Sequence, residues 1–357
     1  MGFDGRRFIW YPIVAVPARN EAQRLPSLID SLGGQTWLAG GQERRLPVVL
    51  ILNNCNDYSV YAAVRAAARH RKLLLDVIQI NFPTAQAHVG SARRLAMERA
   101  LELANNRARS VLLTTDADAI PRCDWIENNL QAINAGAALV GGHIVGDKME
   151  EALLGQHFLR RARDQMYYGS LVDRLANLID PLPHDPWPRH SDHTGASLAV
   201  RADVYAAVGG LPALPFREDL AFVSLARGAG YHLRHPLNVR VKVSARLEGR
   251  ARGGMADCLR TWLDAETNGL PHLVEDPASV LARLHRRDTC RQFGLVENRH
   301  VHHARSSATA APLSCAERAV ESITPEEPDA LLGMPVKTAI RQIKRMIGDK
   351  ESEIRVV

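Results

Sequence analysis

From residue 8 to about 145, apolar runs of strand length alternate with stretches whose apolar positions recur at helical spacing. FIWYPIVAV precedes Leu25, Leu28, Ile29 and Leu32; VVLIL precedes YSVYAAVRAAARH; LLLDVIQI precedes VGSARRLAMERALELA; SVLLTT precedes DWIENNLQAI; AALVGGHIV closes the series. Runs that are apolar throughout belong to strands covered on both faces, so the pattern predicts an α/β fold with a parallel sheet between layers of helices. Ligands of such sheets bind at the carboxyl ends of the strands. Three of the predicted strands end there in polar residues, PARNEA, NNCNDYS and DADA.

From about 149 to 178 the pattern is helical and charged, and a proline-rich loop, IDPLPHDPWPRHSDH, follows. GASLAVR reads as a strand, ADVYAAVGG as a short helix ending on glycines, EDLAFVSLARGAG as another helix and NVRVKVSAR as a last strand. Beyond about 270 the composition shifts to histidine, arginine and serine-alanine segments, then to PVKTAIRQIKRMIGDK, and the sequence predicts a partly helical appendage of marginal order. No internal repeat is visible.

Composition narrows the partners. Of 357 residues 46% are hydrophobic, enough for a sizeable core. The 45 lysines and arginines exceed the 39 acidic residues, giving a net charge of +6 that favours an anionic partner. A phosphorylated small molecule fits that better than nucleic acid, because aromatics are only 5% and the arginines are scattered rather than striped. The five cysteines are far apart and never in a CxxC spacing, which points to a reducing compartment and no zinc site. The arginine pair before FIWYPIVAV superficially resembles a signal peptide, but Pro12 and Pro17 and the lack of a small-residue cleavage site mark a first strand. No stretch nears the roughly 20 apolar residues of a membrane span, so a soluble, cytoplasmic protein is expected.

The chemistry starts at TDADA. Along a strand Asp116 and Asp118 would share one side with Ala117 opposite. Two carboxylates held together repel unless a cation sits with them, and Mg²⁺ or Mn²⁺ takes carboxylate oxygens plus substrate phosphates. The competing reading is a solvated turn, which aspartate favours.

Together, PARNEA, NNCNDYS, GSARRLA, TDADA, GASLAVRADVYAAVGGLP and REDLAF look like the ordered motifs of the family 2 glycosyltransferases with a GT-A fold, over residues 10 to about 250. The resemblance implies a nucleoside-diphosphate-sugar donor, an inverting transfer to an acceptor hydroxyl and a divalent metal, Mg²⁺ or Mn²⁺. It assigns Asp116 and Asp118 to the metal and the nucleotide, Pro17, Arg19 and Glu21 to the loop near the nucleoside, and Arg93 to the diphosphate, where a cation neutralises charge. For Arg93 the alternative is a solvated helix face. Where the family usually carries an aspartate that reads the base, this chain has Asn53 and Asn54, with Asp57 further on. An amide both donates and accepts, so the base is left open.

By the same resemblance Asp219 is the base that deprotonates the acceptor, with Glu218 orienting the acceptor or that base. The alternative is that acids in a first helical turn serve the macrodipole. Trp187 and His193, in the loop with His184, His190, Asp185 and Asp192, resemble an acceptor-recognising segment. Arg246, Arg250 and Arg252 stand where the family places a basic loop over the diphosphate; a solvated turn is the other reading. His232 and His235 flank a predicted strand, and neither is selected as a metal ligand.

The expected division is a glycosyltransferase domain, 1–270, with a nucleotide-sugar half (1–145) and an acceptor half (146–270), and an appendage, 271–357. The acceptor is open among saccharide, lipid-linked and small-molecule classes. Val336, Ile340, Ile343 and Met346 beside Lys337, Arg341, Lys344 and Arg345 form a basic amphipathic helix that either rests on an anionic membrane or packs on the protein. A dehydrogenase would need GxGxxG after the first strand, which is absent. A haloacid-dehalogenase phosphatase would carry DxD on its first strand, and a nucleotidyltransferase would carry a glycine-rich loop in place of PARNEA. A degenerate family member that binds without turnover is the remaining alternative.

Overall fold

The computed structural model describes residues 10–249, 254–292 and 333–356. In chain order the elements are β1 (Tyr11–Ala18), α1 (Leu25–Gly33), α2 (Thr36–Ala39), β2 (Leu46–Asn53), α3 (Ser59–Ala67), β3 (Leu73–Ile80), α4 (Val89–Glu102), β4 (Ser110–Thr114), β5 (Ala119–Pro121), α5 (Trp125–Asn134), β6 (Leu139–Gly141) and β7 (His143–Gly146). Then come α6 (Lys148–Leu153), α7 (Gln156–Ile179), β8 (Leu198–Arg201), α8 (Ala202–Ala207), α9 (Glu218–Gly228), β9 (Leu233–Arg234), β10 (Arg240–Val243), α10 (Met255–Thr267), β11 (Leu273–Glu275), α11 (Pro277–Gln292), β12 (Gly333–Pro335) and α12 (Val336–Val356).

Two compact units result, one from 1–147 and 191–254, the other from 148–190 and 255–357. This differs from the expected cut at residue 270: α7 groups with the C-terminal helices because their apolar faces bury one another.

The first unit holds a seven-stranded sheet in the order β3-β2-β1-β4-β8-β6-β9. β1, β2, β3 and β4 are parallel, and β8 runs antiparallel to both β4 and β6, so the sheet is mostly parallel rather than wholly so. The apolar runs explain the layers. On β2, Val48, Leu50 and Leu52 join a core with α1, α3 and α5, while Val49 and Ile51 join another with α4, α8 and α9. Such a strand has no polar side to show. β3, at the edge, is half-exposed and carries Asp76 and Gln79.

AALVGGHIV, expected as one strand, is two. β6 belongs to the main sheet and β7 to a small second sheet, β5-β10-β7. The break falls at Gly142, where a Cβ would lie 1.9 Å from Ser197 Oγ; only glycine admits that crossing. β5 and β9, at three and two residues, are too short for a periodic signal.

In the second unit, Val336, Ala339, Ile343 and Ile347 of α12 are buried with Tyr168, Leu171 and Leu175 of α7 and with Val280 and Leu284 of α11. Lys337, Arg341, Lys344 and Arg345 are exposed on its other side. The apolar stripe of α12 is therefore used inside its own unit, which is the packing alternative of the sequence reading. No helix among the described residues is long and apolar enough to cross a membrane.

Ile343, fully buried, should cost about 2–5 kcal/mol when cut to alanine, whereas exposed Arg341→Ala should leave stability within about 0.5 kcal/mol. Urea unfolding followed by circular dichroism separates the two, and equal midpoints would mean that α12 is not a brace.

Candidate functional site

The site lies in the first unit, at the carboxyl ends of β1 and β4, and is built around one buried cation. Arg93, on the first turns of α4, is only 3% exposed. Ala92 and Ala96, on the buried face of α4, share a core with Ile13 and Ala15 of β1, and Gly90 lies against the Leu214 backbone. Arg93 Nε donates to Glu218 Oε1 at 3.0 Å and its Nη2 to Asp116 Oδ1 at 2.7 Å. Its Nη1 donates to Thr114 Oγ1 at 3.0 Å and to the Gly195 carbonyl at 2.9 Å. Burial alone would lower its pKa, but the charges of Asp116 and Glu218 outweigh that and raise it, so it stays a cation. Gly195 is required by this contact, because a Cβ there would sit 2.3 Å from Arg93 Cζ.

Thr114 ends β4, and the DxD lies beyond it. The chain turns at Asp116, whose carbonyl accepts from Ala119 N at 3.1 Å. The two aspartates thus do not follow the strand alternation expected of them, and each faces its own guanidinium. Asp116 takes Arg93. Asp118 Oδ2 lies 3.0 Å from Arg246 Nη2, and Arg246 also grips Glu21 through both nitrogens, Nη1 donating to Oε2 at 2.8 Å and Nη2 to Oε1. The Asp118 carboxyl is pushed up to about 6 by burial first, then by the charges of Asp116 and Glu21, against the lowering effect of Arg246.

Glu218 and Asp219 open α9. The residue before them, Arg217, sits in the left-handed region at φ 57°, a conformation costly for a side-chain-bearing residue and concentrated at functional sites. Glu218 is buried, and its carboxyl is raised by burial, lowered by Arg93 and raised again by Asp219. Asp219 accepts from Gly195 N at 2.6 Å through Oδ2 and from Leu220 N at 2.8 Å through Oδ1, so its orientation is fixed by backbone.

Two guanidiniums bridge the acids: Arg246 joins Glu21 to Asp118, and Arg93 joins Asp116 to Glu218, with Asp219 next to Glu218. Five carboxylates face two guanidiniums, and the Asp118 carboxyl is raised by burial first and then by the neighbouring charges of Asp116 and Glu21. All the surplus donors are carboxylate oxygens. That donor set is of the kind a hard divalent cation takes.

Residues 13–184 match the profile of glycosyl transferase family 2, a little under half of the chain. This segment belongs to glycosyltransferase family 2. The match ends before Glu218 and Asp219. Among solved structures, the chain is similar to a mannosyltransferase from Pyrobaculum calidifontis in complex with GDP-Man and Mn²⁺, at 18% identity, covering 78% of this chain and 68% of that one with a TM-score of 0.47. It is also similar to S. aureus TarS 1-349 in complex with UDP, at 15% identity, 81% and 73% coverage and a TM-score of 0.46. A third is glucosyl-3-phosphoglycerate synthase from Mycobacterium tuberculosis in complex with Mn²⁺, UDP and glucosyl-3-phosphoglycerate, at 15% identity, 76% and 86% coverage and a TM-score of 0.39. No match was found among curated protein sequences.

The remaining residues singled out from the sequence sort clearly. Arg93, expected on a diphosphate, spends its hydrogen bonds on protein groups and ties the DxD to α9. Pro17 is in β1; Arg19, just beyond the strand, donates to the Ala87 carbonyl at 3.0 Å. Asn53 is buried, its Nδ2 donating to the His88 carbonyl at 3.2 Å and its Oδ1 left without a partner. Asp57 is spent on structure: Oδ2 accepts from Ala22 N, and Oδ1 from the N and Oγ of Ser59. Burial raises its carboxyl, but these hydrogen bonds lower it overall.

Trp187 belongs to the second unit and is 41% exposed. His193 pairs with His235, Nδ1 to Nε2 at 3.3 Å, and is pushed down to about 4 by burial and then by His235, so it is neutral near pH 7. Arg250 and Arg252 lie outside the described residues. Thr114, Gly195 and Ser59 were not singled out from sequence. Ser59 carries no catalytic pattern; its Oγ accepts from Glu21 N at 2.9 Å and so fixes the β1 loop.

Arg93→Met should destabilise the chain by about 3–5 kcal/mol, because it strands Glu218 as a buried charge. The double variant Arg93→Met, Glu218→Gln should recover part of that loss. Urea midpoints measure both; a double variant no more stable than Arg93→Met would show that the two groups are not coupled.

Proposed function

We propose that this glycosyltransferase moves a sugar from a nucleoside-diphosphate-sugar to an acceptor hydroxyl with inversion at the anomeric carbon. The observation that carries the reading is the single guanidinium of Arg93, which holds the DxD aspartate and the Glu218–Asp219 pair in one network. Asp219 takes the hydroxyl proton as the acceptor oxygen bonds to the anomeric carbon. The bond from that carbon to the diphosphate breaks, and the diphosphate leaves with the electron pair. Backbone donors from Gly195 and Leu220 keep Asp219 aimed for this step, and Glu218, locked by Arg93, holds the first turn of α9. A divalent cation, Mg²⁺ or Mn²⁺, bound at Asp118 and Asp116 supplies charge stabilisation for the departing diphosphate.

Asn53 bears on the base. Its amide nitrogen is committed to the His88 carbonyl, which fixes the amide orientation and leaves a buried acceptor, Oδ1, unsatisfied at a cost of about 1–3 kcal/mol. A base offering a ring N–H, uracil or guanine, would satisfy it; cytosine and adenine offer an acceptor there. The basic outer face of α12 supports at most an electrostatic contact with anionic lipid, since its apolar face is packed.

In a test with purified full-length protein, chelation and Asp118→Ala should each weaken UDP or GDP binding strongly. Asp219→Asn should lower kcat by two or more orders of magnitude while donor affinity stays within a few-fold, because a base acts in the transition state. Nucleotide binding indifferent to chelator would overturn the metal role; collapse of donor affinity in Asp219→Asn would make Asp219 part of the donor site. CDP binding as tightly as UDP and GDP would remove Asn53 from base recognition.

A further inference from the structure

We propose that Arg246 is a built-in counter-cation of the donor site, holding the position between Glu21 and Asp118 that a divalent metal must take over when it binds with a nucleoside diphosphate. The inference rests on the reading of Asp118 and Asp116 as metal holders. It concerns what happens in the site before the metal and the donor arrive.

The geometry is that of a cation seated between two acids. Arg246 follows β10, and its guanidinium engages both oxygens of Glu21 while Nη2 also reaches Asp118 Oδ2 at 3.0 Å. The three side chains are 20%, 6% and 24% exposed, so the pairing is screened far less than a surface ion pair would be. Glu21 cannot swing away to relieve repulsion, because its backbone N–H is held by Ser59 Oγ and its side chain is buried. Without a cation, Glu21 and Asp118 would face each other as two shielded carboxylates, and the charge of Glu21 already acts on Asp118. The site therefore needs positive charge in every state.

Arg246 supplies that charge from the chain itself. Its backbone N–H is held by Ser244 Oγ at 3.3 Å, which keeps the side chain within reach of the pair. A divalent cation approaching Asp118 meets a guanidinium already on the same oxygen, and the two repel. Metal alone must displace Arg246 and so binds weakly. A nucleoside diphosphate brings its own negative charge, which pairs with the displaced guanidinium, so metal and nucleotide bind as a pair. The coupling is reciprocal: whatever Arg246 costs the lone metal appears as cooperativity between metal and nucleotide.

The experiment is a titration of the full chain with Mn²⁺, reading free Mn²⁺ by electron paramagnetic resonance, first alone and then with saturating UDP or GDP. Arg246→Ala and Arg246→Gln should tighten Mn²⁺ alone by roughly tenfold, the usual scale of a coupling between sites, and change affinity in the presence of nucleotide by much less. Arg246→Lys keeps a charge beside Glu21, and with it the fold, but loses the two-pronged grip, so it should tighten Mn²⁺ by a smaller factor. Arg240→Ala, at an exposed arginine that donates to the Leu237 carbonyl, should change nothing. If wild type shows Mn²⁺-dependent nucleotide binding but the Arg246 variants bind Mn²⁺ alone no more tightly, the counter-cation role is overturned and the metal reading stands. If no form of the chain shows Mn²⁺-dependent nucleotide binding, both fall.

Discussion

A charge taken out of water must be met by opposite charge and by hydrogen bonds, and the Arg93 guanidinium is the charge this site is arranged to satisfy. Leaving it unmatched would cost several kcal/mol, so α4, the end of β4, the turn at Gly195 and the start of α9 are all held where its nitrogens can reach them. Those four segments come from points of the chain up to 125 residues apart. The glycine at 195 and the left-handed Arg217 are the local conformations that this convergence demands.

That arrangement shifts the meaning of the charges within the site. Arg93 gives its hydrogen bonds to Glu218, Asp116, Thr114 and the Gly195 carbonyl. Arg246, by contrast, is the less buried of the two guanidiniums, and it is there that the proposed exchange of one cation for another takes place. The site thus has a fixed cation and an exchangeable one. The difference between them is burial: Arg93 is 3% exposed, and the Arg246 side chain is 20% exposed.

The second unit shows the same rule in apolar form. α12 presents a stripe of Val336, Ala339, Ile343 and Ile347, and α7 and α11 present the surfaces that take it out of water. What is left outside is the basic face, which is why the sequence alone left membrane contact and packing both open while the apolar stripe packs in the structure.

Periodicity alone determined the layered α/β sheet, because strands buried on both faces have nowhere to place a polar residue. It also placed PARNEA, DADA and REDLAF at strand ends and helix starts, where backbone groups and ligands meet. It could not show that AALVGGHIV breaks at Gly142, since the cause is a close approach of Ser197 from 55 residues away. Nor could it assign partners: an arginine in a helical repeat reads the same whether it faces water or a buried pair of acids. Asp57 and Asn53 differ for the same reason, one consumed by Ser59 and Ala22, the other left with an unpartnered buried acceptor. Local spacing fixes which side of an element a residue occupies, but which charge it neutralises depends on segments brought together only by folding.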